Sequence, residues 1–391
     1  MILPASRRRT EADIDQREHI MISNSTSTTH TALRVVIAGG GIAGLSLARA
    51  LVQAGHDPLV IERNTKWPAT GTAHYLPANA LRALDGIGIG GEVAAAAHPI
   101  NRQRVTGTGG RTLVDLPVSS IWGDASCCAA IRRSSLHEIL RLATAEVPKR
   151  MGTTITAQLS DHSLRLSDGS VEHYDVLVGA DGVSSVVRTA GMGGTEPRHS
   201  GRWCWRFIAE GWEGDDDTWH ARLAPGRSLV TVPLGEGAVY CYADIATGNG
   251  RPPGDWRRYF DDFGNPITAL LDQAGQAYGT PIMEVDQTYA FLDRSVLIGD
   301  AAHAMSPSMA QGVGLAVEDA LVLTETLSSL PVHEALAAYE ERRAPRIAWV
   351  RGQSQRRDST RSLRPAVRDG VLRLTGRRLA VAGQRALLAM P

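Results

Sequence analysis

The sequence predicts an α/β fold into which a mostly antiparallel β-sheet lobe is inserted, followed by a helical C-terminus. Three observations carry this. A glycine-broken strand-to-helix unit stands near the start, a strand-rich stretch full of tryptophan fills the middle, and an Ala/Leu/Arg-rich stretch with helical spacing closes the chain. Strands alternating with helices build a parallel sheet, whereas consecutive strands between two such parts form a lobe of their own.

The first element is the apolar run LRVVIA, Leu33 to Ala38, which has the length of a buried strand. Gly39, Gly40 and Gly41 interrupt it before IAGLSLARALVQAG resumes with helical spacing. A second short strand, PLVIER, ends at Glu62 and Arg63. The unit is β-α-β, with parallel strands and a right-handed crossover. Helices are expected from about Asn79 to Leu84 and across Ser134 to Ala145. TITAQLSD and HSLRLSDGS alternate as hairpin strands do, and YDVLVGAD is a further strand. From Arg202 to about Gln287 the pattern is strand-rich and aromatic, with Trp203, Trp205, Trp212, Trp219 and Trp256. After Val296 a strand and a long helix return.

These divisions give an N-terminal extension over 1–32, expected to be disordered, and a discontinuous α/β domain over 33–200 and 288–330. The β lobe occupies 201–287 and the helical region 331–391. The first thirty residues hold no apolar stretch of the secretory kind, and Met21 is an alternative start.

Charge is balanced, with 41 Lys and Arg against 41 Asp and Glu, so no basic face for nucleic acid is implied. No apolar run is long enough to span a bilayer, and no membrane partner is expected. Cys127, Cys128, Cys204 and Cys241 show no zinc-ligand spacing and read as reduced thiols in a cytoplasmic protein without a metal.

The strongest local signal is Gly39-Gly-Gly-Ile-Ala-Gly44, which follows a strand, opens a helix and is followed by an acidic strand end. Gly39 permits the tight turn, Gly41 lets backbone approach a pyrophosphate, and Gly44 lets helix and strand pack closely. The helix start at Ile42 and Ala43 offers free N–H groups to phosphate, and Glu62 is placed for ribose hydroxyls. The plain alternative is a glycine turn of an α/β protein, and the motif does not separate FAD from NAD. Gly86 to Val93 and Gly107 to Gly110 do not lead from strand into helix, so both read as turns and no second such unit is present.

Two further strands end alike, DVLVGADG at Asp181 and Gly182, and SVLIGD at Asp300. A carboxylate at the carboxyl edge of a parallel sheet stands where such sheets bind ligands, and it can accept a polyol hydroxyl. Beyond Asp300 the run Ala310-Gln311-Gly312-Val313-Gly314 leaves room for a flat ring ahead of a helix.

The order GGGIAG, GADG, GDAAH resembles the FAD-dependent aromatic hydroxylases, the class A flavoprotein monooxygenases of the para-hydroxybenzoate hydroxylase type, from about Leu33 to about Trp349. The resemblance implies an FAD-binding Rossmann-like domain of the GR2 type, with NAD(P)H as reductant bound without its own Rossmann unit. It implies that Gly39, Gly41, Gly44, Glu62 and Arg63 hold the ADP part, and that Arg133 meets the diphosphate or ribityl. Asp181 and Gly182 match the pair associated with FAD and NAD(P)H contact, and Asp300 the aspartate that binds the ribityl chain. Pro307 and Gly312, Val313 and Gly314 would line the isoalloxazine. Ala310 stands where a Gly is usual, and Gly314 where many members have Asn.

The activity implied is hydroxylation or epoxidation of an electron-rich aromatic or heteroaromatic small molecule with NAD(P)H and O2, through a flavin C4a-hydroperoxide, by a monomer or homodimer. An oxidase, dehydrogenase or halogenase on the same fold, or a non-catalytic flavin protein, are the alternatives. Trp203-Cys-Trp205-Arg-Phe-Ile-Ala lacks the Pro of the halogenase segment. It reads as a strand whose aromatic side chains wall the substrate, with Arg206 a candidate anchor for an acidic or phenolate group. His303 reads either as a proton-handling group or as an organiser of its loop. The Arg-rich end, broken at Pro365, reads first as a solvated face, with packing on the core or a dimer contact as alternatives.

Overall fold

Arg34–Ala38 forms β1, whose Val35, Val36 and Ile37 are fully buried, so the strand is covered on both faces as a central parallel strand must be. It leads into α1 (Ile42–Gln53) and pairs in parallel with β2 (Asp57–Glu62) on one side. On its other side lies β3 (Val176–Gly179), which in turn pairs with β4 (Ser295–Leu297), both in parallel. Lys149–Met151 and the antiparallel Phe291–Leu292 complete a six-stranded sheet at its two edges. The computed structural model describes residues 31–391 apart from 68–71, 124–126, 249, 253, 276 and 287–289, so the expectation for the N-terminal extension lies outside the described residues.

This strand order has one consequence for chemistry. β1, β3 and β4 are neighbours with their carboxyl ends aligned, which brings the loops after Ala38, Gly179 and Leu297 to one edge of the sheet. Three motifs spread over more than two hundred residues of sequence thereby meet in one place.

The lobe is a seven-stranded sheet in the order Tyr278–Glu284, Arg198–Ala209, Ala238–Ala246, Arg227–Gly235, Thr218–Ala224, Arg102–Thr106, Thr112–Pro117. It draws in two strands from ahead of the tryptophan-rich stretch, and the glycines between them turn that hairpin, with Gly109 and Gly110 at φ +77° and +80°. The segments TITAQLSD and HSLRLSDGS form a small antiparallel sheet with Val171–His173. The two early helices run over Ala78–Gly86 and Arg133–Ala143.

The long helix α2 (Gly312–Ser329) packs on α1 and returns through α3 (Val332–Arg361) to α4 (Pro365–Gln384). Pro365 opens α4, where its missing N–H is no loss. The solvated-face reading of the Arg-rich end is corrected here. Arg343 and Arg368 are buried and Arg357 and Arg361 half-buried, so α3 and α4 pack on the core and leave only their outer sides in water. Among the described residues no helix is long and apolar enough to cross a membrane.

Candidate active site

The glycine turn after β1 is fixed by close approach. At Gly39, φ is +107° and a Cβ would stand 2.5 Å from the Ala180 carbonyl oxygen, so only glycine lets the turn lie against the loop after β3. At Gly44 a Cβ would stand 1.9 Å from the Gly39 carbonyl oxygen, whereas at Gly41 it would meet nothing within 4 Å, since that residue borders open cavity. No side chain caps the start of α1, so the first N–H groups, at Ile42 and Ala43, stay available. Glu62 accepts from the Gly40 N–H at 2.8 Å, and from the Asn64 backbone and side-chain N–H at 2.9 and 2.6 Å. The carboxylate expected at a ribose thus pins the glycine turn. Arg63 and Arg133 line the same cavity.

After β3, one oxygen of Asp181 accepts from the Val186 and Val187 N–H groups at 2.8 and 3.4 Å. Its other oxygen is buried and has no partner among the described residues. Gly182 follows at φ +80°. Arg188 donates to the carbonyls of Ala301, Val183 and Thr195 at 2.7, 2.6 and 2.8 Å, clamping this loop to the one after β4. There Gly299 brings Asp300 against the first turn of α1, where a Cβ at Gly299 would lie 3.0 Å from the Ala43 Cβ. Asp300 faces the cavity, and no hydrogen bond holds its carboxylate among the described residues.

His303 lies in a different setting. Its Nε2 stands 2.7 Å from Asp319, which also accepts from the Gly299 N–H at 2.8 Å and from Arg343 Nε at 2.7 Å. Burial alone would raise the Asp319 carboxyl, but His303 and Arg343 hold it below the usual carboxylate range. Glu318 beside it takes Arg343 at 3.0 Å, Arg346 at 2.7 and 2.8 Å, and Asn79 at 2.9 Å. A buried ion network thus ties His303 to its loop, and the residue also borders the cavity. Sequence reading missed Arg343 and Arg346, whose surroundings in the sequence look solvated.

The two departures in the ring-binding loop have local answers. Ala310 adopts the left-handed conformation at φ +52°, where glycine is at ease. Gly314 faces Asn79, whose Nδ2 would lie 2.9 Å from an added Cβ and already bonds Gln311 at 2.8 Å. Asn79 thus supplies an amide beside position 314. Pro307, Gly312 and Val313 border the cavity with them.

This cavity, of about 1000 Å³, runs from the glycine turn to the inner face of the lobe. Strand alternation points Arg206 into it, with its guanidinium 5.5 Å from the Tyr242 ring centre. By the same alternation Trp203 and Trp205 point away, and Trp205 stacks on Trp256 at 4.8 Å in a separate core. The expected tryptophan wall is corrected to one of Tyr240, Tyr242 and Tyr278, with Trp219 the member of that aromatic stretch that reaches the cavity. Sequence reading also missed His74, half-buried in the cavity wall, whose Nε2 is buried and has no partner among the described residues. Burial first, then the charges of Arg133 and Arg206, push its pKa down to about 3, so it is neutral.

The residues at the sheet edge fit FAD: an orphaned buried acceptor on Asp181, a free carboxylate on Asp300, and an open approach at Gly41. Comparison with known proteins agrees. Residues 32–353 match the FAD binding domain family. The 2-heptyl-3-hydroxy-4(1H)-quinolone synthase of Pseudomonas aeruginosa is 32% identical over 336 residues, covering 82% of this chain and 88% of that protein. Aurachin C monooxygenase/isomerase of Stigmatella aurantiaca is likewise 32% identical, over 81% of this chain and 86% of its own. In structure, HpxO of Klebsiella pneumoniae, complexed with FAD and uric acid, shares the fold with a TM-score of 0.83 at 23% identity, over 92% of this chain and 97% of that one. A tetrameric form of 2-methyl-3-hydroxypyridine-5-carboxylic acid oxygenase gives 0.76 at 26% identity, over 89% and 96%. Fold and site define a flavoenzyme with a substrate sheet facing its cofactor. The chain belongs to the FAD-binding class A flavoprotein monooxygenases and is an FAD-dependent monooxygenase.

Proposed function

We propose that this enzyme hydroxylates or epoxidises an electron-rich heteroaromatic ring that carries an apolar substituent, with NAD(P)H and O2 as co-substrates. The observation that carries the reading is the polarity gradient across the lobe. On the strands nearest Tyr278–Glu284 the cavity meets Arg206, Tyr240 and Tyr242, whereas on the strands toward Thr112–Pro117 it meets mostly apolar side chains, Val230, Leu223, Val105 and Leu116, with Ser228 and Gln103 among them. Strands are spaced by about 4.8 Å, so a ring held at one end leaves roughly 15–20 Å of apolar wall for a substituent. The names of the quinolone synthase and the hydroxypyridine-acid oxygenase support a heteroaromatic ring, and the first of them supports an alkyl tail.

Bound FAD supplies hydride acceptance and oxygen activation. The protein's own groups bind, orient and exclude water. The α1 N-terminus and Gly41 would hold the pyrophosphate, Glu62 with Arg63 the adenosine, Arg133 the diphosphate or ribityl, and Asp300 and Asp181 the hydroxyls and amide edges near the flavin. Pro307, Gly312, Val313 and Gly314 would flank the ring. Arg206 stays cationic and would anchor an acidic or phenolate edge, and neutral His74 offers Nε2 as acceptor to a ring N–H or O–H. α3 and α4 line the cavity, and the water they displace there would otherwise shorten the life of the oxygenating species.

The test is the visible spectrum of the purified protein, followed as NADPH or NADH is added without oxygen. A flavin band that bleaches many-fold faster with a 2-alkyl-4-quinolone than with an unsubstituted phenol supports the proposal. Bleaching that ignores every ring compound, or that needs no nicotinamide, sinks it.

A further inference from the structure

α4 has two apolar sides. Its inner side lines the cavity with Leu372, Gly376 and Ala380, and a Cβ at Gly376 would stand 2.4 Å from Val114, so the helix lies tight on the lobe. A surface helix ordinarily turns charged and polar residues outward. Here the outward side carries Val367, Val371, Leu374 and Val381, exposed by 54%, 37%, 86% and 37%. Their spacing of three, four and seven residues puts them on one face. Leu363 and Leu388, also exposed, extend the stripe beyond both helix ends.

Charge says what covers it. From Arg364 to Pro391 the chain holds the exposed Arg364, Arg373, Arg377, Arg378 and Arg385 and the buried Arg368 against one acidic side chain, Asp369, in a protein of net charge zero. Asp369 is already engaged by Arg368 at 2.8 Å. Arg378 lies within the apolar stripe and Arg377 at its border, both exposed. A second copy of the same face would set guanidinium against guanidinium, and a neutral apolar partner would strip their water without replacement. Anionic phospholipid accepts both features, since the valines and leucine enter the acyl boundary while the arginines meet phosphates.

We propose that the outer face of α4 docks this enzyme flat on an anionic bilayer. The helix lies on the membrane and does not cross it, consistent with its twenty residues being too polar to span. The face that touches lipid and the face that lines the cavity belong to one helix, which sets the site beside the phase in which an apolar compound concentrates.

The test uses the FAD-loaded full chain, sedimented with vesicles of pure phosphatidylcholine and of phosphatidylcholine mixed with phosphatidylglycerol, at low and high salt. Binding is expected to the anionic vesicles only, and to weaken with salt. Leu374→Glu with Val381→Glu, and separately Arg377→Gln with Arg378→Gln, are each expected to lower it about tenfold or more, with flavin content unchanged. The exposed positions let all variants fold, and circular dichroism checks this. Wild-type protein that stays in the supernatant with both vesicles overturns the proposal, as does binding indifferent to the four substitutions. A dimer in solution that Leu374→Glu converts to monomer also overturns it, because a second copy then covers the face.

Discussion

Asp300 and Asp181 bring to the cavity acceptors that the protein itself leaves unused; Asp300 is exposed, whereas the free oxygen of Asp181 is buried, which is costly unless a ligand fills it. Asp300→Ala is expected to weaken FAD retention ten- to hundredfold, from the loss of about 1.5–3 kcal/mol of charge-assisted hydrogen bonding, read from the flavin-to-protein absorbance ratio. His74 has a pH signature. Its pKa falls from 6.5 to about 3 on folding, so between these values the unfolded chain binds the extra proton. The stability associated with the neutral ring is complete above about pH 6.5 and is lost as pH falls below it, at up to about 1.4 kcal/mol per pH unit. Urea midpoints at pH 7.5 and 5.5 should therefore differ less in His74→Asn than in wild type. The two aspartates were legible because each ends an apolar strand with a glycine beside it. His74 was not, because a lone histidine in a four-residue strand has neither spacing nor partner to mark it.

At the scale of elements, helices α2 and α3 are joined by charge inside the core. Asp319→Ala would leave Arg343 and His303 without their shared carboxylate and is expected to cost about 3–5 kcal/mol, seen as a large fall in melting temperature. Because the folded Asp319 carboxyl is held low, the stability it lends is present above the ordinary carboxylate pKa and lost as pH falls through its own. The loop ahead of α2 stores strain at Ala310, φ +52°. Ala310→Gly should leave stability within about 1 kcal/mol of wild type, while Ala310→Val should lose more than that, by thermal melts of both. Elements with strong periodicity, β1, α1, β4 and α2, could be read from the chain. The inward turn of Arg343, Arg346 and Arg361 could not, because an arginine-rich helix looks solvated until carboxylates distant in sequence, Glu318, Asp319 and Asp244, are known as their partners.

For the whole molecule, the lobe and the C-terminal helices matter as the walls of one chamber. Gly376→Val would push α4 off Val114 and open that chamber. Reductant consumption is then expected to outrun product formation, with the ratio of hydroxylated product to NAD(P)H oxidised as the measurement. The lobe was readable as a block of strands, but its strand order was not. Arg102–Thr106 pairs in parallel with Thr218–Ala224 across more than a hundred residues of sequence, and nothing local in either strand announces the other.

The chamber also dictates a schedule for its own making. The sheet edge needs β4, which lies beyond residue 290, and the wall takes in Gly383 and Gln384 of α4. A growing polypeptide can build the glycine turn early, yet the cavity for FAD lacks part of its lining until those later residues have emerged. Cofactor capture thus follows the making of β4 and α4, and a shortage of flavin would leave chains past that point with an unfilled cavity rather than halt them at the glycine turn.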